Sequence, residues 1–200
     1  MKWEDLPEHM RNQEVRPYYD ILKKRPLSLI AKRLFDIAAS AVLLLILWPV
    51  MLIITILIRC DSNGPAIFRQ ERITTYGRKF RILKFRTMVN NAEKYGPLVT
   101  VSRDERITRI GKSLRNNRLD ELPQLINILL GDMSFVGTRP EIQKYVDRYT
   151  CEMKATLLLP AGVTSEASIL YKDEYRLLSN AENVDEAYVN QVLPGKMKYH

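Results

Sequence analysis

Two adjacent carboxylates, Asp120 and Glu121, sit in the run Arg118-Leu119-Asp120-Glu121-Leu122-Pro123-Gln124-Leu125 and are surrounded by cations in sequence. Arg109, Lys112, Arg115 and Arg118 lead into the pair, Arg139 follows in Gly137-Thr138-Arg139-Pro140-Glu141, and Lys84 and Arg86 come earlier in Lys84-Phe85-Arg86-Thr87-Met88. Ionised acids among cations suit phosphoryl transfer between two phosphorylated substrates. One carboxylate can attack phosphorus and form an acyl phosphate. Its neighbour can help hold Mg²⁺, which prefers carboxylate and phosphate oxygens. Arginines would neutralise a diphosphate through charge-assisted, often bidentate bonds. The same residues also have a plainer use. Pro123 suits the first turn of a helix, with Asp120 as its cap, and each arginine alone could simply meet solvent or a lipid headgroup.

Other chemistries lack their signals. The chain contains no G-x-x-x-x-G-K-[ST], no G-x-G-x-x-G and no G-x-S-x-G, so kinase, dinucleotide-binding and serine-hydrolase readings have nothing to stand on. Its only cysteines are Cys60 and Cys151 and its only histidines His9 and His200, which supports neither a disulfide framework nor a zinc site and points to a reducing, cytoplasmic setting. Over 200 residues, 31 Lys+Arg against 23 Asp+Glu give a net charge of +8. Nucleic acid, anionic lipid and phosphorylated small molecules all fit that balance.

The elements that must carry these residues begin with an apolar run. From Ile37 to Ile58 there is no charge, and only Ser40 and Thr55 are weakly polar. Such a helix is long enough to cross the hydrocarbon core of a bilayer, and it starts too late and runs too long for a cleaved signal peptide. Pro49 near its middle removes a backbone hydrogen bond. Lys23, Lys24, Arg25, Lys32 and Arg33 before it, and Arg59, Arg69 and Arg72 after it, draw both flanks toward the cytoplasm. A helix broken at Pro49 that enters and leaves on one side satisfies both pulls, and a kinked spanning helix is the alternative.

Residues 1–26 read as a polar lead-in punctuated by Pro7, Pro17 and Pro26. Asp61-Ser62-Asn63-Gly64-Pro65 reads as a turn. Ala66–Gln70 and Lys79–Phe85, on either side of Tyr76-Gly77, predict a hairpin. Leu122, Leu125, Ile126, Leu129 and Leu130 recur at helical spacing with Gly131 as the stop, and Glu141–Tyr149 and Val184–Val192 are further helix candidates.

Six ordered motifs then resemble one family. They are Lys32-Arg33-Leu34-Phe35-Asp36 before the apolar run; Gly64-Pro65-Ala66-Ile67-Phe68-Arg69-Gln70-Glu71-Arg72; Phe80-Arg81-Ile82-Leu83-Lys84-Phe85-Arg86-Thr87-Met88; Arg106-Ile107-Thr108-Arg109-Ile110-Gly111; the Arg118–Leu125 run; and Gly131-Asp132-Met133-Ser134-Phe135-Val136-Gly137. Across roughly residues 30 to 165 the chain resembles the bacterial sugar transferases, the small monotopic phosphoglycosyl transferases. The resemblance implies an α-rich α+β fold. A single membrane-associated domain would contain a re-entrant helix broken at Pro49, a short β-hairpin and amphipathic interfacial helices. Its parts would be a lead-in at 1–33, the membrane helix at 34–59 and a catalytic domain at 60–200 that forms one unit with that helix.

The resemblance further implies Asp120 as nucleophile, Glu121 as its partner, and Mg²⁺ held by the pair. Lys84, Arg86, Arg115 and Arg139 would contact substrate phosphates. A UDP-sugar, usually N-acetylated, would lose UMP, and undecaprenyl phosphate would take the phosphosugar on the cytoplasmic face of a bacterial inner membrane. Membrane lipid is then a partner, nucleic acid is not, and a homodimer is left open. Two departures stand out. Thr138 replaces the family's usual proline. Leu159-Pro160-Ala161-Gly162-Val163-Thr164-Ser165 replaces its usual Arg-Pro-Gly-Ile-Thr-Gly loop, which puts donor binding on that side of the site in question. The tail from Ala167 to His200, with Tyr171-Lys172-Asp173-Glu174, is implied to shape sugar choice. The competing reading is a non-catalytic, membrane-anchored basic binding or scaffold protein, which leaves the acidic pair unexplained.

Overall fold

A computed structural model describes residues 2–92, 104–171 and 184–199. The apolar run becomes one 36-residue helix, α2 (Pro26–Asp61), preceded by the short α1 (Arg16–Lys23). Its apolar side chains are largely uncovered: Leu45 is 75% exposed and Ile46 64%. A soluble core helix would bury them, so α2 is built for a membrane.

The helical element is longer and more continuous than the expected membrane segment. It begins at Pro26, ahead of the expected 34–59, because Pro26 in the first turn is pre-set for helix and lacks an N–H that would go unused there. Pro49 does not end it: Pro49 lies inside one continuous helical element. Proline removes a single hydrogen bond, and its fixed φ is itself helical, so the flanking turns carry the helix through.

Both ends of α2 are tied to the same body. Near its start, Arg33 donates to the Ile128 and Leu129 carbonyls at 2.6 and 2.9 Å, which satisfies the last turn of α4 (Gln124–Leu130). Buried Asp36 accepts the Phe135 N–H at 3.3 Å, and Lys32 bridges Asp36 and Ser134. At the other end, Asp61 accepts the Ile110 N–H at 3.1 Å, in the first turn of α3 (Arg109–Asn116), and Ile54 and Ile58 pack with Ala66, Phe85 and Leu114.

The hairpin forms as β1 (Ile67–Ile73) and β2 (Lys79–Phe85), antiparallel, with Ile67 opposite Phe85 and Ile73 opposite Lys79. Tyr76 and Gly77 take positive φ at its tip. Gly131 stops α4 at φ 89°, as its position predicts. A second, parallel pair was not legible in the sequence: β3 (Met133–Val136) runs beside β4 (Ala161–Thr164). The chain then forms α5 (Gln143–Val146), shorter than the expected 141–149, and α6 (Glu166–Leu170). Three contiguous helical pieces close it: α7 (Val184–Ala187), a π-helical stretch Tyr188–Val192, and α8 (Leu193–Met197).

The lead-in is polar only in composition. Leu6, Met10, Val15 and Tyr19 are buried with Tyr145, Tyr149, Leu157, Leu158, Tyr188, Val192 and Leu193 in a cluster built from both ends of the chain. Sparse apolar residues in a proline-punctuated segment carry no period to read, so only the tertiary contacts reveal them as core.

Candidate functional site

Asp120 and Glu121 lie in a 3₁₀ turn, Leu119–Glu121, which the chain enters through Arg118 in the left-handed region at φ 57°. The helix that follows starts at Gln124, with Pro123 as the residue before its first turn, and the Asp120 side chain caps nothing. The plainer reading of Asp120 as a helix cap is therefore set aside. Positive φ at a residue with a Cβ costs about 1 kcal/mol, and that cost is spent on orienting the acidic pair. Asn127, on α4 just after this turn, ties that helix to the hairpin: its side chain donates to the Arg81 carbonyl at 2.9 Å and accepts the Leu83 N–H at 3.0 Å. Lys84, next along β2, thereby faces the carboxylates.

The two acids have different surroundings. Glu121 Oε1 accepts from Arg139 at 2.7 Å and from Lys84 at 3.2 Å. Burial alone would raise its pKa, but Arg139 and Lys84, through charge and hydrogen bonds, hold it down at about 2. Burial raises Asp120; Lys84 and Arg115 oppose the rise and the neighbouring Glu121 adds to it. Lys84 is itself pressed down to about 8, by burial first and then by Arg139, against the pull of both carboxylates. Paired acids with pKa values driven apart are the usual preparation for two different roles.

A cavity of about 810 Å³ opens beside Asp120. Arg59, Arg69, Arg72, Lys84, Arg86, Arg106 and Arg115 reach its wall, with Asp120 as the acid among them. Thr55 and Arg59 carry the wall to the C-terminal half of α2. Of the expected phosphate contacts, Lys84, Arg86 and Arg115 reach this cavity. Arg139 and Glu121 stand behind it, with Arg139 holding Glu121. Arg86 is engaged as a clamp: its guanidinium donates to the Ser62 and Asn63 carbonyls at 2.6 and 2.7 Å and fixes the chain where it leaves α2. Arg59, Arg69 and Arg72 read in sequence as membrane-flanking charges, and Arg106 as part of a motif. Only tertiary packing brings them to the wall: Ile54 and Ile58 of α2 meet Ala66 and Ile67 at the start of β1, and the Arg106 carbonyl accepts the Val89 N–H beyond β2.

The altered loop has a backbone role. Gly162 donates to the Thr138 carbonyl at 2.8 Å, and the Gly137 N–H to the Thr164 carbonyl at 3.0 Å. A Cβ at Gly162 would lie 2.2 Å from Gly137 backbone atoms, so glycine is required where the Arg139 turn crosses β4. Position 138 takes part through its carbonyl, which explains why threonine serves there. Lys172, Asp173 and Glu174 of the tail lie outside the described residues. Among the described residues, no group of three or more His, Cys, Asp or Glu side chains could cage a metal. Magnesium is the cation that accepts one or two carboxylates together with substrate phosphates, and the Asp120–Glu121 pair beside a cationic cavity fits it on those terms.

Residues 27–194 match the family described as bacterial sugar transferase. The chain is 42% identical over 149 residues to the UDP-N-acetylgalactosamine-undecaprenyl-phosphate N-acetylgalactosaminephosphotransferase of Aeromonas hydrophila, covering 73% of this chain and 35% of that protein. It is 42% identical over 143 residues to the UDP-glucose:undecaprenyl-phosphate glucose-1-phosphate transferase of Caulobacter vibrioides, covering 69% of this chain and 53% of the relative. A Bacillus subtilis protein, provisionally named an undecaprenyl-phosphate N-acetylgalactosaminyl 1-phosphate transferase, is 39% identical over 135 residues, which are 68% of this chain and 75% of its own length. The chain thus spans between about a third and three quarters of these relatives.

Proposed function

The chain belongs to the bacterial sugar transferase family, and from that premise we propose that it transfers a phosphosugar from a UDP-sugar to undecaprenyl phosphate, releasing UMP. The observation that carries this reading is the large cation-walled cavity, with Asp120 on its wall, at the end of an apolar helix. It offers room and charge for two phosphorylated substrates, one of them lipid-borne. The names of the relatives support the acceptor and a UDP donor; they differ in the sugar, N-acetylgalactosamine in some and glucose in another.

Asp120 is the nucleophile. An oxygen of its carboxylate bonds to the phosphorus that bears the sugar, the bond from that phosphorus to the bridging oxygen breaks, and UMP departs with the electron pair. A phosphate oxygen of the acceptor then attacks the same phosphorus, forming a diphosphate link and freeing Asp120. Lys84 and Arg115, beside Asp120, neutralise the transferring phosphoryl group. Glu121, fixed as an anion by Arg139 and Lys84, keeps the pair in register. Magnesium would be held by Asp120, with the Glu121 oxygen that Arg139 and Lys84 do not bond as the second carboxylate donor, together with substrate phosphate oxygens; when bound it would supply further neutralisation of the diphosphate.

Re-entrance of α2 belongs to the same proposal. Lys32, Arg33 and Asp36 at one end and Asp61 at the other bind one polar body, which cannot lie on both sides of a bilayer roughly 30 Å thick. A bend of this continuous helix at Pro49 would let it dip and return, with the catalytic body on the cytoplasmic face.

The test uses detergent-purified protein with undecaprenyl phosphate, Mg²⁺ and UDP-N-acetylgalactosamine, UDP-N-acetylglucosamine, UDP-glucose or UDP-galactose. UMP release from one donor, lost in Asp120→Asn, is the expected result. No UMP from any donor, by folded protein that still binds membranes, would favour the scaffold reading.

A further inference from the structure

A second polar cluster lies on the far side of Arg139, and the reaction as described does not use it. Glu141, two residues on, is buried. Its carboxylate accepts from the Tyr188 hydroxyl and lies 3.7 Å from Arg72 Nη1. Buried Lys196 donates to the Tyr188 oxygen at 3.3 Å and sits over the Tyr188 ring, 5.1 Å from its centroid. Arg72 also donates to the Pro140 carbonyl at 3.2 Å, and the Glu141 carbonyl accepts the Ile73 N–H at 2.9 Å. Tyr188 and Lys196 come from the C-terminal helical stretch, and Arg72 comes from the cavity wall. Burying such a group of charges is costly, and removing one partner leaves the rest unpaired.

These contacts form a route from the tail to the site. Tyr188, itself held by Lys196, holds Glu141. Glu141 and the Pro140 carbonyl hold Arg72 on the wall and fix the turn that carries Arg139. Arg139 in turn grips Glu121 beside Asp120. We propose that Tyr188, backed by Lys196 and acting through Glu141, is a positioning residue for phosphosugar transfer, so that the C-terminal helices set the geometry of the cationic wall; this rests on the transferase reading above. Small displacements of groups that must meet a transferring phosphoryl group are costly to rate, whereas ground-state binding spreads over many cations and tolerates them.

The experiment compares full-length wild type, Tyr188→Phe, Glu141→Gln, the double variant and Lys144→Ala. Lys144 pairs with Asp185 on the same tail, at the surface, and so tests tail attachment without touching Glu141. Tyr188→Phe is expected to lower kcat for UMP release roughly tenfold with KM within about twofold. The double variant should be no slower than the slower single one, because the two groups act as a unit. Hydrogen exchange supplies a readout that needs no turnover: Tyr188→Phe should speed exchange at the Ile73 amide and through 137–142, and Lys144→Ala should not.

Wild-type kcat in Tyr188→Phe overturns the proposal, whatever the exchange shows. So does unchanged exchange at 137–142 in that variant, or kcat effects that simply multiply in the double variant. If wild type itself releases no UMP, the transferase reading fails. Unaltered exchange would then remove the tail-to-turn contact as well, and altered exchange would leave a structural tether with no transfer to position.

Discussion

The surroundings of Asp120 and of Glu141 are built from the same residue types and come to opposite ends. Asp120 stands on the wall of a cavity of about 810 Å³ among arginines and a lysine. Glu141 stands among Arg72, Tyr188 and Lys196, and two spaces that it lines among the described residues are about 10 Å³ each, room for about one water. Charge and burial are alike in the two regions; empty volume is what differs. An acid with cations around it is a candidate for chemistry only where a ligand can enter, and elsewhere the same group ties elements together. The neighbouring pair repeats the lesson on a smaller scale, since Glu121 is spoken for by Arg139 and Lys84 while Asp120 faces the space.

The contrast breaks most sharply at Asp120. Asp120→Asn should cut UMP release by at least about a thousandfold while leaving the thermal midpoint close to wild type, since among the described residues its side chain caps neither its own turn nor α4. A variant that keeps a tenth of the activity would sink the nucleophile assignment.

Lys84 gives the next largest effect, through pH. Its folded pKa of about 8 lies below the ordinary 10.5, so between those values the unfolded chain binds the extra proton. This group therefore makes the fold more stable as pH rises through that window, while the loss of its charge should bring activity down on an alkaline limb centred near 8. A profile of kcat/KM set beside thermal midpoints would show the opposed trends. Lys84→Arg should move the limb upward, and an unmoved limb would assign it to another group. Tyr188→Phe, at roughly tenfold, is the intermediate case and probes the closed region directly.

The topology of α2 calls for labelling instead of kinetics. In a Cys151→Ser background, native Cys60 and an introduced Ser28→Cys flank the apolar run, and both positions are exposed. A membrane-impermeant maleimide added to inverted vesicles should modify both from the cytoplasmic face. Modification of only one would mean a spanning helix. The smallest effect is expected for Lys144→Ala, where an exposed ion pair contributes within about 0.5 kcal/mol to stability and nothing to kcat. Chemical denaturation and initial rates check it together.

Much of the local structure could be read in advance. The apolar helix, the hairpin around Tyr76-Gly77 and the helix ended by Gly131 follow from period, turn chemistry and a left-handed stop. The parallel β3–β4 pair escaped because its strands are four residues long, too short to show an alternation, and far apart in sequence, so that they pair only through tertiary contacts. The burial of Leu6, Met10, Val15 and Tyr19 escaped for the same kind of reason.

By itself, then, the sequence determined the membrane segment, the acidic pair and the supply of cations, because composition and short-range periodicity depend only on neighbours along the chain. The tertiary structure alone decided which acid faces open space, that Arg72 and Arg86 reach the cavity wall while holding protein groups and Arg139 stands behind it on Glu121, and that the two chain ends share one core. Those outcomes depend on where distant segments meet and on the volume left between them, and neither quantity is written in any local run of residues.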